Sequence, residues 1–151
     1  MEKVLIAQDD PPGVGLAANQ VGLAISLFLI KPTEKAKTTV FINPKVLKSS
    51  DTLVERERKS PVKKTKKRKV KLEGCLSIPR IWGPVKRSDR IFLHYQDLTG
   101  KEHLKRFTGF EAIIIQHEID HLNGIVFTQR AVEQKGQLFR EENEELVKIK
   151  Y

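Results

Sequence analysis

Thr108-Gly109-Phe110-Glu111-Ala112-Ile113-Ile114-Ile115-Gln116-His117-Glu118-Ile119-Asp120-His121-Leu122-Asn123-Gly124 is the stretch on which the fold turns. Thr108 and Glu111 stand in a capping-box relation, a hydroxyl for an orphan N–H with a Glu three residues later. The apolar run behind them and the Asn123-Gly124 stop predict one helix over the segment. Just before it, Ile91 to Gln96 and Glu102 to Phe107 flank Asp97-Leu98-Thr99-Gly100, a hairpin turn. Ile25 to Ile30 reads as a strand, and Phe41-Ile42 as another after the Lys31-Pro32 turn. Lys45 to Arg58 and Val62 to Leu72 read as two long, mostly solvated arms meeting near Ser60-Pro61. Ala131 to Ile149 reads as a second helix, amphipathic through Leu138, Phe139, Leu146 and Ile149. Strands first and helices late predict an α+β fold. Small antiparallel or mixed sheets are expected around a central helix bearing His117-Glu118-x-x-His121, with a C-terminal helix.

The chain has 151 residues, which predicts a single domain over 1–151. No apolar run reaches the length of a membrane span, and the longest, Ile25 to Ile30, suits a buried strand. The start, Met1-Glu2-Lys3 with Asp9-Asp10 close behind, fits neither a secretory signal nor a transit peptide. Cys75 is the single cysteine, so no intrachain disulfide forms and nothing requires an oxidising compartment. A cytoplasmic location is expected. The net charge of +9 is lopsided: between Glu55 and Lys71 ten basic residues face two acids, which supplies +8 of it. The remainder is nearly neutral, and no general basic face is expected there.

His117 and His121, four apart on a helix, stand one turn above each other, so both rings can reach one metal ion. Glu118 follows the first of them and can act as general base toward a water at that ion. The plainer alternative is a pair of helix histidines satisfied by solvent. A catalytic site needs a third protein ligand. A third His six residues after His121 is ruled out, because Phe127 stands there. Glu141, Glu142, Glu144 or Glu145 could serve from downstream, although they read as the charged face of the last helix. Upstream, Cys75 could serve as a thiolate, or be a small core hydrophobe. Residues three, four and seven before His117 share its face, so Ile114, Ile113 and Phe110 are candidates to line an apolar pocket beside the ion. Gly13 and Gly15 let backbone approach a peptide closely, which makes Val14 and Gly15 candidates to hold substrate.

Three motifs in order resemble the signature motifs of the peptide deformylase family: Gly13-Val14-Gly15-Leu16-Ala17-Ala18-Asn19-Gln20, Glu73-Gly74-Cys75-Leu76-Ser77 and Gln116-His117-Glu118-Ile119-Asp120-His121. The resemblance implies removal of the formyl group from the N-terminal methionine of nascent polypeptides. It implies Cys75, His117 and His121 as ligands of Fe(II) natively, with Zn, Ni or Co able to replace it. It further implies Glu118 as general base and acid, and Gln20 with the Leu76 N–H as oxyanion donors. Glu73 and Arg87 stand where the family places a supporting ion pair, and a merely solvated Arg87 is the alternative.

Two departures stand out. Family members carry an extended segment and a long helix before the Gly-rich motif, where this chain offers Met1 to Pro12. That difference implies exposed apolar surface, lower stability, cover from a partner chain, or a truncated gene product. The stretch from Pro44 to Glu73 is longer than usual and holds the basic residues of segment 56–71. It reads either as a solvated hairpin or disordered loop, or as a device for docking on ribosomal RNA. Its Lys63 to Lys69 run also resembles a nuclear signal, a coincidence in a bacterial-type enzyme. Two rival functions stay open: a small metallopeptidase using a downstream Glu, and a non-catalytic deformylase-like protein that binds ribosomes.

Overall fold

The structure, a computed structural model, describes residues 1–9, 12–59, 69–143 and 145–151. A short helix α1 (Glu2–Ile6) opens the chain, followed by strands β1 (Gly15–Ala17), β2 (Leu27–Ile30) and β3 (Thr39–Ser49). Next come β4 (Leu53–Glu55), β5 (Glu57–Lys59), β6 (Lys69–Lys71), β7 (Glu73–Cys75), β8 (Ile78–Gly83) and β9 (Lys86–Ser88). The hairpin β10 (Arg90–Gln96) and β11 (Glu102–Thr108) leads into α2 (Gly109–Leu122) and α3 (Phe127–Glu133). The strands β12 (Phe139–Glu142) and β13 (Glu145–Lys148) end the chain. The fold is α+β, and it divides into two compact units, Met1–Leu53 with Ser88–Gly124 and Val54–Arg87 with Ile125–Tyr151.

The first unit is a five-stranded sheet in the order β1-β2-β3-β10-β11, with every neighbouring pair antiparallel. Along β10 burial alternates: Ile91, Leu93 and Tyr95 are buried while Phe92, His94 and Gln96 are not. The buried set joins Phe28, Phe41 and Phe107 and the α2 residues Ala112, Ile114 and Ile115 in one core. Phe41 is its hub, stacked on Phe28 at 4.7 Å between ring centroids and tilted on Tyr95 at 4.5 Å. Such aromatic pairs add to the burial of area and tie β2, β3 and β10 together under α2.

The predicted helix and hairpin are present, and Gly124 follows the Asn123 cap with φ 74°. The expected capping box is not formed: Thr108 is the N-cap but makes no side-chain cap bond. Gly109, with φ 55°, turns left-handed there and re-aims its N–H, which is donated to the Asp89 carbonyl at 2.8 Å. The arm expected from Lys45 is solvated as read, with Lys45 to Ser49 exposed, but its start is part of a sheet. Residues to Ser49 belong to β3, and Val46 and Lys48 pair with Leu93 and Phe92 of β10. Proline lacks a donor, so Asn43-Pro44 leaves a gap in the ladder of a strand that runs on from Phe41-Ile42. The sheet absorbs it with a register shift between His94 and Gln96 and a left-handed Asn43, φ 49°. Of the two arms, β5 and β6 are what pairs, Glu57 opposite Lys71. Their meeting point near Ser60-Pro61 and most of the basic run lie outside the described residues.

In the second unit the sheet order is β13-β12-β8-β7. A last helix is present, but the one expected over Ala131 to Ile149 is not; α3 stops at Glu133 and the chain returns as a β-hairpin. Gly136 marks the change, its N–H closing on the Ala131 carbonyl at 2.7 Å. From Phe139 to Glu142 burial then alternates with period two, the strand signature. Leu138 packs with Val85, Phe127 and Ala131, and Ile149 leans on that cluster.

Candidate metal centre

On α2, His117 and His121 lie one turn apart, their ring centroids 4.9 Å from each other. The helix is pinned on both sides of the pair. Gln116 donates to the Ser88 carbonyl at 2.8 Å and accepts from the Ser88 N–H at 3.1 Å. The Asn19 side chain donates to the His121 carbonyl. Neither Asn19 nor Gln116 was assigned a role from sequence, although both stand inside the quoted motifs, each next to a residue that was.

Glu118 is 3% exposed, and β1 runs directly against it. A Cβ built on Gly15 would lie 2.3 Å from the Glu118 Oε1 and 2.9 Å from the Ile114 Cγ2. No side chain fits there, so the close approach of strand to carboxylate is what demands glycine. Ile113 and Ile114 are buried, and Phe110 and Val14 are half-buried against the same core. Directly after β1, the short 3₁₀ turn Ala18–Val21 places Gln20, whose Oε1 accepts from the Ala17 N–H at 2.8 Å. That bond decides which end of the amide is acceptor and which is donor.

In the second unit Cys75 ends β7, with Ile78 of β8 as its register partner and the Ser77 N–H 3.4 Å from its Sγ. An N–H aimed at sulfur favours the thiolate. Gly74 lies against Trp82, where a Cβ would come within 2.5 Å of the indole ring. Glu73 and Arg87 form the ion pair that sequence left open. The Arg87 Nε donates to the Glu73 Oε1 at 2.7 Å and Nη2 to Oε2 at 3.0 Å, both residues being buried. Burial pushes the Arg56 guanidinium below its usual pKa, an effect the Glu73 charge partly offsets. Leu76 sits half-buried in the turn that follows Cys75. We expect Arg87→Ala to lower stability by about 3–5 kcal/mol, because it removes both charge-assisted bonds to a buried carboxylate, whereas losing an exposed pair costs under about 1 kcal/mol. Urea denaturation of the purified variant measures it.

Among the described residues, Cys75, His117 and His121 form the group of Cys, His, Asp and Glu donors able to hold a metal ion. The downstream carboxylates are not in that group. Glu141 accepts from the Trp82 indole N–H at 3.1 Å, and Glu142 pairs with Arg140. Glu144 lies outside the described residues.

A family model described as Polypeptide deformylase matches residues 1–137. The chain belongs to that family. It is 41% identical over 121 residues to a peptide deformylase of Rhizobium meliloti, covering 78% of this chain and 61% of that one. A Borreliella burgdorferi deformylase is 36% identical over 126 residues, covering 83% and 67%. Among solved structures, the Thermotoga maritima deformylase aligns with TM-score 0.68 at 32% identity, over 85% of this chain and 76% of that one. The Synechococcus elongatus deformylase, solved with actinonin, aligns with TM-score 0.64 at 34% identity, over 79% and 56%. The chain thus spans about three fifths to two thirds of the length of these two curated relatives. Deformylases are metal-dependent and act on formylated nascent peptides. Among the described residues no helix is long and apolar enough to cross a membrane.

Proposed function

We propose that this chain is a peptide deformylase, a metal-dependent hydrolase that removes the formyl group from N-formylmethionyl nascent polypeptides. The observation that carries the reading is the donor group Cys75, His117 and His121 on a deformylase-family chain whose Glu118 stays outside that group. A thiolate with two imidazoles leaves an open position and suits Fe(II), the expected native ion, as well as Zn, Ni or Co. A divalent ion held there would acidify a water and polarise the formyl carbonyl.

The chain's own residues would do the rest. Glu118, buried beside β1, takes a proton from the attacking water and returns it to the leaving amine. Gln20, with its Oε1 already engaged by Ala17, presents its Nε2 end as a donor where negative charge develops, alongside the Leu76 N–H. The strand β1 ends the sheet order, so the backbone at Val14 and Gly15 can receive an extended peptide as a further strand. Ile113, Ile114 and Phe110 supply an apolar lining suited to an unbranched methionine. Glu73 and Arg87 hold the loop that carries Cys75. In this reading both compact units work as one catalytic domain over 1–151, in the cytoplasm, and the basic segment 56–71 docks on ribosomal RNA.

Formate release from a formyl-Met peptide by anaerobically purified protein tests the proposal, and its absence in metal-loaded protein overturns it in favour of a non-catalytic relative. We expect Gln20→Leu to lower kcat about 10²–10³-fold with little change in KM, since an oxyanion donor acts chiefly in the transition state. Steady-state kinetics separates this from a loss confined to KM, which would make Gln20 a binding residue.

A further inference from the structure

A second cationic feature lies among the described residues, apart from the hyperbasic segment. On β10, Ile91 and Leu93 are buried against α2, so Phe92 between them faces the other side of the sheet. There it has a cation on each neighbouring strand, for its register partners are Lys48 of β3 and Arg106 of β11. Arg90, two residues back along β10, faces the same way. These four residues line a cleft of about 430 Å³, and among the described residues no carboxylate lines it. Lys48, Arg90 and Arg106 are exposed, and among the described residues none of their side chains takes part in an ion pair. Strand spacing puts Lys48 and Arg106 about 10 Å apart across Phe92, with Arg90 about 7 Å along.

Three unpaired cations around a half-buried aromatic ring form a patch that repels other cations and wants a polyanion. A plain anion site has no use for the ring, and a duplex keeps its base faces stacked inside. Single-stranded nucleic acid offers both complements, phosphates for the cations and an unstacked base for the ring. We propose that this face binds single-stranded RNA, with backbone phosphates on Lys48, Arg90 and Arg106 and one base against Phe92. The site is independent of the deformylase reading, and it does not use segment 56–71.

The test uses the full chain and a fluorescein-labelled 12-nucleotide single-stranded RNA, titrated at several salt concentrations. Each of Lys48→Ala, Arg90→Ala and Arg106→Ala should weaken binding and lower the slope of log K against log salt by about 0.7, the value for one lost phosphate contact on a single strand. Phe92→Leu, which keeps the fold, should weaken binding roughly tenfold with the slope unchanged, as expected for lost stacking. RNA-induced shifts of backbone amide resonances should fall on residues 48–50, 90–92 and 106, a readout the basic segment cannot imitate. Shifts confined to 56–71, or affinities unmoved by all four variants, would overturn the proposal. Adenosine monophosphate binding as tightly as the 12-mer would overturn it too, making the cleft a nucleotide pocket.

Discussion

Glu118→Ala is expected to keep metal and fold and to lose about 10²–10⁴-fold in kcat, or more, since it removes the group that moves protons in both halves of the reaction. The carboxylate is outside the donor group Cys75, His117 and His121, so truncating it leaves every proposed ligand in place. The helix should also survive, because its hold on the sheet comes from Ala112, Ile114 and Ile115 in the core and from Gln116 on Ser88. Glu118→Gln sharpens the test by keeping the shape and removing the basicity. Metal content, circular dichroism and formate release are to be measured on the same preparations. A variant within a few-fold of the parent chain would take Glu118 out of the mechanism.

Loss of metal is the expected outcome of Cys75→Ala, His117→Ala and His121→Ala, and with it loss of turnover. Disturbing a residue that only supports a ligand costs about 10–100-fold in affinity, so deleting a ligand must cost more. Cys75→Ala is the discriminating member of the three. If a downstream carboxylate completed the site, as in the metallopeptidase alternative, that variant would retain stoichiometric metal and Glu141→Ala would lose it. The indole N–H of Trp82 on Glu141 argues against that outcome. Metal analysis of anaerobically purified protein, with no activity assay needed, decides between them.

The parts of the fold legible in sequence are those where local signals and tertiary packing agree. The helix around His117 and His121 has its apolar run and its Asn123-Gly124 stop, and Asp97-Leu98-Thr99-Gly100 closes its hairpin as turn chemistry demands. Ala131 to Ile149 misleads because it is rich in Glu, Gln and Lys, good helix formers, while strand pairing decides the outcome. Phe139 and Arg140 are taken up opposite Trp82 and Ile81 of β8, a contact no local window contains. The strand read at Phe41-Ile42 runs on to Ser49 for a reason equally remote from local signals, since a bulge lets it continue through Pro44. In the site, the two imidazoles follow from helix spacing, but Asn19 and Gln116 do not: their partners are a backbone carbonyl and a peptide group distant in sequence. The cleft around Phe92 escapes for a simpler reason. A nearly neutral balance outside the hyperbasic segment says nothing of where charges gather, and Lys48, Arg90 and Arg106 converge only through strand register.

Because Gln116 and Asn19 tie down the helix on either side of His117, the imidazole pair is set in place by folding, before any ion arrives. The entropy of ordering that stretch of helix is then charged to the stability of the first unit and not to metal affinity. Such a helix behaves as a standing dock, unlike a zinc finger, where ion capture and chain collapse are one event. An ion held there could leave and another enter while the helix stays wound. The identity of the bound metal would then follow from what the surroundings supply and how quickly each ion exchanges, more than from any refolding of the chain around it.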